Sequence, residues 1–259
     1  MERNNKIDQI FDKELSSNNY LRGHLKRLKE SFNFIDKYLK DGQDIIDIGS
    51  YGHFTKILSN FYQSKFELSN FELRDNFPID SNKYDMVLCM EVIEHLKDKD
   101  SNNIEYISSF RYTGILNLLC EMNRILKNDG ILFLTTPNLN TYISILKILN
   151  YENPYFFTPH PRELSINELK RLLDKTGFKI IEMDTKNVWN GYSIESDRYS
   201  NFISKIEDFS EKNGFSSSLR GDDIFIVAKK VKNPENILIE NEYFKVTIDD
   251  IYPKQNTFN

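Results

Sequence analysis

The sequence lacks most of what would mark a secreted, membrane-bound or nucleic-acid-coating protein. It has only two cysteines, Cys89 and Cys120, too few for a disulfide framework. Cys89 lies inside an apolar run, and both read as buried thiols of a reducing, cytoplasmic compartment. No apolar run approaches the roughly 18 residues that a membrane helix needs. The stretch Met1 to Ile10 is polar, so neither a signal peptide nor a span is expected. Basic residues are not in excess: 34 Lys and Arg stand against 39 Asp and Glu, a formal charge of -5. That balance argues against a general affinity for nucleic acid and leaves room only for a local basic groove.

What is present suits one α/β domain with additions. The 259 residues can bury a full core, and 39% apolar with 28% charged residues is ordinary for a globular chain. Residues 1–19 are polar and read as a frayed arm. From Tyr20 to Lys40 the apolar positions Leu21, Leu25, Leu28, Phe32, Ile35 and Leu39 repeat with a helical period, which Asp41-Gly42 ends. Short apolar strands then alternate with helical segments. Strands are expected at Ile45–Ile48, Met86–Met90, Ile131–Thr135, Phe178–Met183 and Ile224–Ala228. Helices are expected from about His53 to Tyr62, over 113–127, and after Ser165, whose Glu168 three positions on has capping-box spacing. Such alternation predicts a mostly parallel sheet with helices on both faces. The implied organisation is an N-terminal helical cap (1–43), a main domain (44–231) with an insertion at 136–164, and a C-terminal extension (232–259). The extension holds two β-like runs, Ile237–Ile239 and Tyr243–Ile248, read as a hairpin that could mediate a homodimer.

The segment Asp47-Ile48-Gly49-Ser50-Tyr51-Gly52-His53-Phe54 follows the first strand and opens a helix. Gly49 and Gly52 allow a sharp turn and a close backbone approach to a ligand, beyond the carboxyl end of the sheet. A plain turn is the alternative. The G-x-G-x-x-G spacing of dinucleotide sites is absent.

This segment resembles the first motif of the class I S-adenosylmethionine-dependent methyltransferases, Asp/Glu-x-Gly-x-Gly-x-Gly. Asp47, Gly49 and Gly52 match, and Tyr51 stands at the middle glycine position. The likeness continues through Tyr84–Leu96, which resembles the family's fourth strand and the segment after it. Glu121–Leu134 follows its helix, Leu-Lys-Pro-Gly-Gly turn and fifth strand, with Asn128-Asp129-Gly130 in the turn. Lys175–Phe178 and Ile224–Lys229 fit its last two strands. The resemblance implies a Rossmann-like fold with a mostly parallel seven-stranded sheet, and S-adenosylmethionine as cofactor. Asp47, Gly49, Ser50, Gly52 and Met90 would then contact the cofactor. Glu67 would bind its ribose and Glu72 would lie near the adenine, unless both are solvated edge carboxylates. Between Glu67 and Glu72 there is no room for a crossover helix, so one strand region is expected to be shortened.

Glu91-Val92-Ile93-Glu94-His95 places two carboxylates and an imidazole within one turn of chain, where a substrate would meet the transferred methyl. A second imidazole, His160, sits in Thr158-Pro159-His160-Pro161-Arg162-Glu163-Leu164. Glu91, Glu94, His95 and His160 together suit Mg²⁺, Mn²⁺ or Fe²⁺. The pattern is similar to the Glu-x-x-Glu-His motif of small-RNA 3′-terminal 2′-O-methyltransferases. Many class I relatives, however, use such a segment for structure or cofactor contacts without a metal. In that case His160 or His95, with Glu94, supplies general acid–base chemistry. His160 could also be a plain loop residue.

The string Thr135–Leu164 resembles methyltransferases of bacterial surface-polysaccharide pathways, in which the insertion would roof the acceptor. Arg162 could pair with an acceptor phosphate or with Glu163 or Glu168. His24, Arg22 and Arg27 read as a solvated helix face, with a lid over the cofactor as the alternative. The leading expectation is O-methylation of a sugar, nucleotide-linked sugar or phosphorylated glycan precursor. A metal-dependent RNA 3′-end methyltransferase and an inactive binding subunit are the alternatives.

Overall fold

A computed structural model describes residues 2–15, 22–98, 113–189 and 197–234. Its sheet has six strands: β1 (Asp44–Ile48), β2 (Lys65–Leu68), β3 (Tyr84–Met90), β4 (Leu126–Pro137), β5 (Phe178–Lys186) and β6 (Asp223–Lys230). Their spatial order is β2-β1-β3-β4-β6-β5. β1 runs parallel to β2 and β3, β3 runs parallel to β4, and β6 is antiparallel to both β4 and β5. The result is a Rossmann-like α/β fold with one reversed strand. One strand fewer is present among the described residues than expected. The reason lies between Leu68 and Tyr84, where turns and bends replace the helix and strand that a further parallel neighbour would require.

The central strands are buried on both faces, which is why they are near-continuous apolar runs. Alternate residues feed two cores. Ile46, Ile48, Val87, Leu132 and Leu134 pack with helices α4 (Thr113–Ile125) and α6 (Ile166–Lys175). Ile45, Met86, Leu88, Phe133 and Phe225 pack against α1 (Glu2–Leu15), α2 (Leu25–Ile35) and α3 (His53–Leu58). The N-terminal helices thus share the sheet's own core.

Two expectations change here. The arm over 1–19 is helical from Glu2 to Leu15, because Phe11 is fully buried edge-on against Phe32 at a centroid distance of 6.1 Å. The Asn128-Asp129-Gly130 turn lies within β4, where the register against β3 shifts and Asp129 has φ 62°. The capping box is present: Glu168 N–H donates to Ser165, and Ser165 N–H to the Glu168 carboxylate. The terminal β-like runs lie outside the described residues.

Residues 138–166 make a closed excursion from the sheet. Asn138 bridges Leu164, and Ile166 N–H donates to Asn140 Oδ1 at 2.9 Å, so the two ends meet at the carboxyl edge of β4. Between them run α5 (Tyr142–Leu149) and the loop that carries His160. A further helix, α7 (Asp197–Lys212), precedes β6.

Candidate active site

The glycine loop leaves β1 with φ 73° at Gly49 and 76° at Gly52, a left-handed backbone that side chains with a Cβ rarely adopt. Ser50 Oγ donates to Asp47 Oδ2 and accepts from Gly52 N–H at 3.0 Å, while Gly49 N–H donates to Ser69 Oγ at 2.7 Å. The loop is therefore braced from β1 and from the residue after β2. A cavity of about 240 Å³ opens beside it, lined by Gly49, Ser50, Met90, Glu91, His95 and, from α2, Arg27. Tyr51, at the unmatched glycine position, stands at the cavity's rim and is almost fully exposed.

Asp47 is fully buried, and its Oδ1 has no hydrogen-bond partner. Burial pushes its carboxyl up to about 7, against the smaller opposing effects of the Ser50 hydroxyl and the Arg27 charge. Arg27 is only 7% exposed, and its Nε and Nη1 make no hydrogen bond. Arg27 lines the cavity and Asp47 stands behind its wall, bonded to Ser50; a buried guanidinium and a buried carboxyl, each with an open position, fit a zwitterionic ligand such as the amino-acid end of S-adenosylmethionine. For Arg27 the solvated-face reading does not hold, because Arg27, Ser31 and Ile35 share the buried side of α2. That i, i+4, i+8 spacing was the available sequence signal.

A raised carboxyl pKa has a stability consequence. The unfolded chain loses this proton near its ordinary value of 3.8, the folded chain near 7, so Asp47 costs stability as pH rises through that window. Asp47→Asn should therefore melt with wild type near pH 4 and several degrees above it at pH 8, while binding the donor more weakly. Melting curves at both pH values, with calorimetry against S-adenosylmethionine, check this; equal melting temperatures at pH 8 would contradict it.

Glu67 and Glu72 do not line the cavity. Glu67 is held by Lys65 at 2.7 Å, by Lys83 at 2.9 Å and by the Tyr84 hydroxyl at 2.7 Å, and these bonds draw its carboxyl down to about 2. Glu72 lies across a two-bond pair with Arg74, at 2.9 and 3.1 Å. Both carboxylates are paired with neighbouring cations.

At the end of β3 the chain turns through Glu91, with φ 56°. Glu91 accepts from the Thr135 hydroxyl at 2.7 Å, which keeps it on the β4 side of the cavity. Glu94, His95 and His160 come together, with one ligand atom of each within 4.8 Å of the others. Glu91 is not part of that set. Glu94 is buried, its Oε2 accepts from Thr136 Oγ1 at 3.0 Å, and its Oε1 has no hydrogen-bond partner. Burial, then the Glu91 charge, drives its carboxyl well above the usual range. The half-exposed His95 meets His160 edge-on at 4.6 Å, and its pKa is lowered by burial, then by His160.

Behind His160 stands a residue that the sequence reading assigned no functional role. Glu163 Oε1 lies 2.8 Å from His160 Nδ1, and the same carboxylate accepts from Phe156 and Phe157 N–H at 2.7 and 2.9 Å. A carboxylate on Nδ1 favours the tautomer with its proton there and leaves Nε2 as the open nitrogen. The i, i+3 spacing from His160 to Glu163 was the signal. Arg162 instead turns to Asp98, at 3.1 Å.

A family model described as a methyltransferase domain matches residues 20–183, well over half of the chain. The chain belongs to the methyltransferase-domain family. It is an S-adenosylmethionine-dependent methyltransferase. A relative from Methanocaldococcus jannaschii, an uncharacterized protein, is 25% identical over 252 residues, covering 88% of this methyltransferase and 89% of the relative. Two solved structures share the fold. A SAM-dependent methyltransferase from Archaeoglobus fulgidus has a TM-score of 0.51 at 15% identity, covering 79% of this chain and 94% of its own. A methyltransferase from Haloferax volcanii, solved with the Trm112 methyltransferase activator, has a TM-score of 0.51 at 13% identity, covering 89% and 98%. Among the described residues no helix of this methyltransferase is long and apolar enough to cross a membrane.

Proposed function

We propose that this methyltransferase acts on an oxygen of a sugar, a nucleotide-linked sugar or a phosphorylated precursor in surface-glycan biosynthesis. The observation that carries oxygen as the acceptor atom is the Glu94–His95–His160 cluster beside the donor cavity, with Glu163 fixing the inner imidazole. An alcohol is a poor nucleophile until its proton leaves, and His95 on the cavity wall with buried His160 behind it supplies a place for that proton.

S-adenosylmethionine, when bound, supplies an electrophilic methyl on its sulfonium. Asp47 and Arg27 would hold the donor's charged end, while Gly49 and Gly52 let the backbone close on it. His160 Nε2 would accept the proton that the acceptor hydroxyl gives up. Glu163 would stabilise the imidazolium formed, in the manner of other carboxylate–histidine pairs. His95, kept neutral by burial, is the second proton acceptor within reach.

The same three residues also fit a divalent ion. The orphaned Oε1 of buried Glu94, a neutral His95 and the open nitrogen of His160 make a carboxylate and imidazole donor set, with Glu163 as the outer partner of one ligand. A bound Mn²⁺, Mg²⁺ or Fe²⁺ would lower the pKa of an acceptor hydroxyl.

Protein stripped with a chelator and dialysed should lose turnover about tenfold or more and recover it with Mn²⁺. The assay is mass spectrometry of pooled nucleotide-sugars and phospho-sugars incubated with S-adenosylmethionine, read as a product one methylene heavier. Undiminished turnover after chelation would leave His160 as a metal-free base. A methylated nitrogen or carbon, with no O-methyl product, would overturn the proposal.

A further inference from the structure

Between α5, α7 and the exit of β5 lies a second cavity, of about 540 Å³, lined among others by Lys26, Tyr142, Phe156, Trp189, Glu207 and Arg220. We propose that it is the acceptor pocket and that it binds a sugar ring carrying an anionic group at Arg220. The assignment rests on the methyl-transfer reading above.

The two cavities meet at one indole. Trp189 lies edge-on to His24 at 5.1 Å, and the Arg27 guanidinium sits 5.6 Å from its ring centroid; both residues line the donor cavity. On its other side Trp189 packs against Phe156 at 5.5 Å. Phe156 is tied through its own N–H to Glu163, which holds His160, and the neighbouring Phe157 ring touches His160 at 5.1 Å. A molecule in this pocket therefore shares walls with both the methyl donor and the proton acceptor. Trp189 is itself held in place, since Asp222 accepts from the N–H groups of Val188 and Trp189 at 2.7 and 3.2 Å.

The lining selects the ligand. Aromatic rings offer flat apolar faces for the C–H side of a sugar ring, and the Tyr142 hydroxyl donating to Glu207 at 2.8 Å offers a polar edge for its hydroxyls. Arg220 donates to the backbone carbonyls of Asn140 and Ser216, at 2.8 and 3.0 Å, and its buried Nε has no hydrogen-bond partner. Among the described residues it forms no ion pair; two neutral carbonyls and the Tyr142 ring, 6.0 Å away, are its partners, which leaves its charge for an anion. Glu207 and Asp222 in the same wall disfavour a polyanion such as RNA. The volume is that of a small-molecule site.

Trp189 is the single tryptophan of the chain, so intrinsic fluorescence reports on this pocket directly. Full-length protein saturated with S-adenosylhomocysteine is titrated with a panel of hexose 1-phosphates and nucleotide-hexoses. The parent neutral hexoses and inorganic phosphate serve as controls. At least one anionic sugar should change the emission, with its neutral parent about tenfold weaker or worse and phosphate alone weaker still. Arg220→Met and the pocket-filling Ile203→Phe, at another lining residue, should each weaken that sugar about tenfold or more, Arg220→Lys less so, with S-adenosylhomocysteine affinity by calorimetry unchanged. The proposal is overturned if no anionic sugar alters the emission, if the neutral parent binds equally well, or if the variants leave sugar affinity intact. O-methylation of a glycan precursor with unchanged KM in these variants would remove the pocket and leave the proposed function standing. Absence of donor binding in wild type would remove the proposed function itself.

Discussion

Replacing Gly49 with valine is expected to abolish donor binding. The backbone there has φ 73°, where a β-branched residue is a steric outlier. A Cβ built on Gly49 would lie 2.9 Å from both methyls of Val92, a buried side chain of the core beneath the loop. Neither the loop nor Val92 can yield without moving Glu91 and the end of β3. The left-handed backbone alone costs a non-glycine residue roughly 1–2 kcal/mol, and overpacking adds about 1–3 kcal/mol. Relief of that strain would shift the loop that lines the cavity, so affinity for S-adenosylmethionine should fall at least about a hundredfold. Gly42→Val is the control: φ is 80° there, but no atom lies within 4 Å of a Cβ and the residue is remote from the cavity. It should lose stability and keep donor affinity. Calorimetry on both variants decides the matter. Full affinity in Gly49→Val would sink the donor-loop assignment.

The second large effect is expected at His160. Alanine there removes the nitrogen that Glu163 orients and leaves a buried carboxylate without its imidazole partner. Loss of a positioned proton acceptor typically costs about 10²–10⁴ in rate. Turnover should drop by that order, while donor affinity stays close to wild type because His160 does not line the donor cavity. Glu163→Gln, which keeps the shape but removes the charge behind the ring, should fall between the two, about 10- to 100-fold down. Its accompanying signature is a changed pH profile, which a merely structural role would not produce. A His160→Ala protein with wild-type kcat would return the proton to His95 or to solvent.

Much of the sheet was legible because buried strands are short apolar runs closed by turn residues, as in Ile45–Ile48 and Met86–Met90. The helix after Ser165 was legible because its cap is a local four-residue device. The reversed direction of β6 was not, since apolar periodicity carries no sign: Ile224–Ala228 reads the same parallel or antiparallel. Helix α1 was hidden by its polar composition, and it is anchored by Phe11 against α2. Glu67 was a reasonable ribose ligand by position alone. Lys65, two positions back on the same strand face, was a local signal, but nothing near Glu67 in the chain announces that Lys83 and Tyr84 converge on it as well.

The chain by itself determined the strand, the Asp47–Gly52 loop and the helix behind it, because each depends on conformational preferences within a few residues. That local logic is enough to place the molecule among the methyltransferases. Only the tertiary structure decided which chemistry-bearing side chains meet. It joined His160 to Glu94 and His95, set Arg27 rather than Glu67 at the cavity beside the glycine loop, and packed Trp189, a wall of the larger cavity, against two residues that line the smaller one. Those meetings follow from strand register and from competition among buried groups for partners, and both belong to the whole packed core rather than to any segment of it.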